Sequence, residues 1–144
     1  METNELSSSE IKNLILNTFR KCAPPLIFDK KFIRISKKEA RKIIRWNSIK
    51  KYPYYPELFD CNSFSLVLRA RVAEWQLNKY HEEKDDNYKY PIFIGSCLIE
   101  DQKDGYHAVD IILLNEGFFY IEPQNDNFIE IENPNEVLLI IARI

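Results

Sequence analysis

Glycine is nearly missing from this chain: three residues in 144. A glycine-rich phosphate loop cannot be built from so few, and neither a G-x-G-x-x-G nor a Walker pattern occurs. Cysteine occurs three times, at Cys22, Cys61 and Cys97, with no C-x-x-C pair, which argues against a closed zinc site. Histidine occurs only as His81 and His107. Long apolar runs are absent too; the longest, Val137 to Ala142, is far short of the roughly 20 residues that cross a bilayer as a helix. Met1 to Ser9 is polar and acidic, without the basic and apolar regions of a signal peptide. Three unpaired thiols suit a reducing compartment, so the expected location is cytoplasmic.

What is present fits a single domain over residues 1–144, 45% hydrophobic and 29% charged, neither disordered nor membrane-embedded. The net charge of −2 conceals a polarity. Lys30 to Lys51 carries ten Lys or Arg against Glu39 alone, a balance of +9 that leaves −11 for the remainder. Residues 1–51 read as a helical, basic segment, and residues 52–144 as the core that holds the chemical motifs. Lys38, Arg41, Lys42, Arg45 and Trp46 are its candidate binding residues for an anionic partner. A solvated helix face is the commoner meaning of such a row.

The periodicities predict helices first and strands afterwards. Ser7 with Glu10 forms a capping box ahead of a helix that ends before Pro24-Pro25. Leu26 to Ile35 alternates weakly, enough for a short strand. Ser36 with Glu39 opens a helix over about Lys37 to Ile49. Asp60 caps the strongest helix, running to about Tyr80 and apolar nearly all round, hence buried. His81 to Tyr90 reads as a loop. Strands follow at Pro91–Ile99, Tyr106–Leu114, Phe118–Ile121, Phe128–Ile131 and Val137–Arg143, with turns at Asp101–Gly105 and Asn115–Gly117. The expected class is α+β, with a buried helix carrying Cys61 packed on a C-terminal antiparallel sheet.

Cys61 is the first residue after a helix cap, where free N–H groups and the macrodipole favour a thiolate. Cys22 and Cys97 lack such a position and read as structural. His107 near a strand start is held better than His81 in a loop, so it is the expected general base. A third group must orient the imidazole. Glu122 ends the next strand, and Asn125 is the alternative orienter, because a turn centred at Glu116 sets His107 roughly opposite Asn125.

Three segments, Asp60-Cys61-Asn62-Ser63-Phe64, Gly105-Tyr106-His107-Ala108 and Ile121-Glu122-Pro123-Gln124, resemble a known family. They are similar to the papain-like cysteine protease domain at the C-terminus of Marasmius oreades agglutinin and its small prokaryotic relatives. Bacterial transglutaminase-like cysteine proteinases are a looser match. The resemblance runs from about Tyr52 to Asp126. It implies a papain-like fold, with Cys61 as nucleophile, His107 as base and Glu122 as orienting carboxylate. It also implies calcium dependence, although Asn62 and Ser63 stand where relatives carry acids; the residues themselves call for no cofactor.

Two functions are therefore expected in competition. One is a thiol hydrolase acting on peptide or amide bonds of a peptide or protein substrate. The other is a catalytically silent module of the same fold, whose basic helix 37–49 meets nucleic acid or an acidic protein, aided by aromatic Trp46, Tyr52, Tyr54 and Tyr55.

Overall fold

The computed structural model describes the backbone of residues 4–46, 52–58, 60–101, 105–122 and 127–142, and their side chains except Asn4, Cys61 and Asp101. In chain order the elements are β1 (Asn4–Ser7), α1 (Ser8–Thr18), β2 (Lys31–Arg34), α2 (Lys37–Trp46), α3 (Cys61–Glu83), β3 (Ile94–Asp101), β4 (Gly105–Leu114), β5 (Gly117–Glu122), β6 (Asn127–Glu130) and β7 (Val137–Ala142). The second half forms one antiparallel sheet in the order β6-β5-β4-β3-β7. The expected α+β class, with helices leading an antiparallel sheet, is thus observed.

Local chemistry explains where the helices start. Ser7 and Glu10 each accept the other's backbone N–H at 3.1 Å, a complete capping box for α1. Ser36 accepts from Glu39 N–H, while the N–H of Lys37 is taken by the distant Glu116 carboxylate. Asp60 caps α3 by accepting from Asn62 N–H at 3.1 Å.

Two elements depart from expectation. β1 pairs with β2 antiparallel, although only four residues carry it. α3 continues through the expected loop to Glu83, stopped by Lys84 in the left-handed conformation at φ +52°. The helix terminus expected at Ile49, the middle of the turn before Gly105 and Arg143 lie outside the described residues.

Strand β4 is covered on both faces, so Val109 to Leu114 are all buried. Alternation sends Ile112 and Leu114 to one face, where Phe64, Leu68 and Val72 of α3 and Ile43 and Ile44 of α2 meet them. Val109, Ile111 and Leu113 go to the other face, against Ile11 and Ile15 of α1 with Phe19 and Phe32. The C-terminal strand β7 stands at a sheet edge, but the extended segment 23–26 seals it. Ala23 N–H donates to Leu138 O, Leu26 N–H to Ile140 O, and Ala142 N–H to Leu26 O. Gln76 ties α3 to the start of the sheet: its amide donates to the carbonyls of Tyr88 and Tyr90 and accepts from Ile92 N–H.

A second polar cluster crosses the helix–sheet interface. Asp110, fully buried on β4, accepts from the Ser65 hydroxyl at 2.7 Å and from the Arg69 guanidinium at 3.1 Å. Its Oδ2 has no partner. Burial pushes this carboxyl up to about 7, against the opposing pull of Ser65 and Arg69.

Two outcomes follow for stability. The folded chain holds the Asp110 proton up to about pH 7, whereas an unfolded aspartate releases it near pH 4. This group's contribution is therefore full below about pH 4 and lost as pH rises through about 7. Asp110→Asn should flatten that slope in urea titrations across this range. Asp110→Ala, read at neutral pH, should cost roughly 3 kcal/mol or more because Arg69 loses its buried partner. Gly95 sits where β3 meets β7, and a Cβ there would come 2.5 Å from the Ile141 carbonyl oxygen. Gly95→Ala should lower the unfolding free energy by about 1–3 kcal/mol, the range for overpacking against backbone.

Candidate functional site

The turn between β4 and β5 sets the site. It has two central residues, Asn115 and Glu116, with Gly117 at φ +120°, so Leu114 pairs with Gly117 and Asp110 with Ile121. This register differs by one residue from a turn centred at Glu116, and a one-residue shift exchanges sheet faces. Continued by one step, it sets Glu122 opposite Val109. Glu122 and His107 then share a face, two positions apart along the sheet. Asn125, the alternative orienter, lies outside the described residues.

His107 and Glu122, both half-buried, line one cleft of about 510 Å³. Its apolar floor is Ile99, Val109, Tyr120 and Ile129, and its rim carries Glu130, Glu132, Asn133 and Glu136. The Tyr120 hydroxyl donates to Glu136 at 2.9 Å, and burial with that bond pushes the phenol pKa upward. Four carboxylates against one imidazole make the cleft acidic. Cys61 begins α3, next to the Asp60 cap; its side chain lies outside the described residues. The body of α3 packs on the Asp110 face of β4, whereas His107 belongs with Val109 on the opposite face.

No local pattern in the sequence points to the rim. Tyr120 was findable, since it alternates with Glu122 on β5. Glu132, Asn133 and Glu136 come from the connection between β6 and β7, which no local pattern links to His107.

The other two thiols are buried, and desolvation raises both pKa values, as suits core residues. On α2, Ala40, Ile43 and Ile44 are buried while Lys38, Arg41, Lys42, Arg45 and Trp46 are exposed. Lys42 lies 3.7 Å from Glu39, and the Lys37 ammonium sits 4.6 Å from the Phe119 ring centre. At the α3 start, Asn62 and Ser63 serve the turn: Asn62 N–H bonds Asp60, and the Ser63 hydroxyl reaches Leu58 O. Among the described residues no three His, Cys, Asp or Glu side chains are grouped so as to hold a metal ion. Among them, too, no helix is long and apolar enough to cross a membrane.

Comparison with known proteins places this geometry. The agglutinin C-terminal family matches residues 32–128, which reaches back into the basic segment that carried no motif. The fold is similar to that of the PSL1a-E64 complex, with a TM-score of 0.70 and 16% identity over 95% of this chain. It is also similar to Polyporus squamosus lectin bound to the human-type influenza-binding epitope Neu5Acα2-6Galβ1-4GlcNAc, with a TM-score of 0.72 and 16% identity over 95% of this chain. The chain spans about half of each of those structures, 50% and 49% respectively. No curated protein is similar enough in sequence to be matched.

These findings correct the functional expectations. The chain was expected to be a cysteine protease-like hydrolase of peptide or protein substrates, or a silent module for nucleic acid or an acidic protein. One solved neighbour of this fold is a lectin holding a glycan, and the matching family is that of agglutinin C-terminal domains. The match of residues 32–128 covers well over half of the sequence, and the chain belongs to the agglutinin C-terminal family.

Proposed function

We propose that this chain is a carbohydrate-binding module whose ligand site is the cleft between His107 and Glu122. The observation that carries this reading is the lining itself: hydrogen-bonding groups converge above an apolar floor. A saccharide presents hydroxyl donors around its ring edge and C–H groups on its faces. Carboxylates of Glu122, Glu130, Glu132 and Glu136 accept from hydroxyls, and the Tyr120–Ile129 floor meets the C–H face. The glycan-bound lectin neighbour supports the ligand class.

Charge narrows the class further. An acidic cleft repels a sialylated or sulfated glycan, so the ligand is a neutral saccharide. The epitope of the lectin neighbour is anionic, and only the class, not that epitope, is carried to this chain. Element order supports a papain-like fold: a helix begun by Cys61, then antiparallel strands bearing His107 and Glu122. Of the expected set, His107 and Glu122 face the ligand.

An open cleft of this kind binds weakly, with a Kd on the order of 0.1–1 mM, or about 4–5.5 kcal/mol. Saturation-transfer NMR against a panel of neutral and sialylated oligosaccharides should show saturable binding for a neutral member only. Glu122→Ala should weaken it about tenfold, the usual loss for a hydrogen bond to a charged group. Lack of saturable binding by every neutral member, or preference for the sialylated ones, defeats the proposal.

A further inference from the structure

A second cavity lies at the opposite end of the β4–β5 hairpin, where the two-residue turn meets the last turn of α1. Its volume, about 410 Å³, falls in the range of small-molecule pockets. Leu14, Phe19, Leu113, Phe118 and Ile131 give it apolar walls. Phe19 and Phe118 stand edge to face with ring centres 5.1 Å apart. Among the described residues the one cation on the wall is Arg34, at the end of β2.

Arg34 is half-buried, and its Nε is fully buried without a hydrogen-bond partner. Two other arginines share such a buried Nε, but each has a carboxyl partner: Arg69 has Asp110 at 3.1 Å and Arg71 has Glu74 at 3.3 Å. No ion pair joins Arg34 to a carboxylate among the described residues. Glu116 is the one carboxylate on the cavity wall, and both its oxygens are turned to Lys37 N–H, at 2.9 and 3.2 Å. A guanidinium that is partly desolvated and left unpaired beside an apolar hollow is complementary to an anion with an apolar body.

We infer that this cavity binds a small amphipathic carboxylate, its head on Arg34 and its aromatic or alkyl body between Leu14 and the Phe19–Phe118 pair. The inference does not depend on the saccharide reading, because it uses a different cavity and a charge of opposite sign. It assigns Arg34 a ligand, where the fold has given Arg69 and Arg71 partners of their own.

The test uses the full chain and two probes, 4-phenylbutyrate and its uncharged primary amide, followed by amide chemical shifts in two-dimensional NMR. The acid should give saturable shifts centred on Leu14, Thr18, Arg34 and Phe118, and bind at least tenfold more tightly than the amide. Arg34→Gln should erase that difference, and Arg34→Lys should restore part of it. Equal affinity for acid and amide on the unaltered chain, shifts centred elsewhere, or no saturation overturns the inference; the comparison on the unaltered chain holds even if a variant does not fold.

Discussion

The whole arrangement depends on β4 being buried on both faces. A strand covered on one side only has a free face to which unfavourable side chains can be sent. Here Val109 to Leu114 have none, so alternation assigns each residue to one of two helical layers. A shift of one residue would move Asp110 away from Ser65 and Arg69 and drive Ile111 and Ile112 into the wrong layers. The single turn Asn115–Glu116, with Gly117 at positive φ, therefore fixes both the core and the contents of the clefts at the two ends of the hairpin.

That dependence explains what the sequence made legible. Capping at Ser7, Ser36 and Asp60 is a matter of residues three positions apart or fewer, and those starts were readable. The strands from Ile94 onward followed from alternation and turn residues. β1 was not readable, because a four-residue strand at Asn4–Ser7 has meaning only when Lys31–Arg34 is set beside it. The end of α3 was misplaced for another reason: His81, Glu82 and Glu83 are polar, but polarity on a solvent-facing last turn does not stop a helix, whereas Lys84 in the left-handed conformation does.

The candidate site was legible only in part. His107 and Glu122 were singled out, and the observed register sets them on one wall of one cleft. The hydrolase function expected of the chain was corrected by the comparison with known proteins. The cleft's remaining carboxylates arrive from β6 and the connection to β7, sequence-distant groups that no spacing rule joins to His107. The charge polarity of the chain gains a meaning at this point. The acidic balance outside Lys30–Lys51 includes Glu122, Glu130, Glu132 and Glu136 around this cleft, while the basic residues of α2 stay in solvent.

Buried charge separates structure from function more sharply than motif does. Asp110 and Arg69 are the most deeply buried ionic pair of the described residues, and each accounts for the other; with Ser65 they lock α3 to β4 and leave nothing for a ligand to satisfy except one orphan carboxylate oxygen sealed in the core. Arg34 meets the same desolvation without an internal partner, beside a hollow that solvent and small molecules can enter. A buried guanidinium nitrogen on the wall of an apolar cavity is costly unless something pairs with it. The contrast between two arginines, one answered within the core and one not, marks the second cavity as a place where the partner comes from outside the chain.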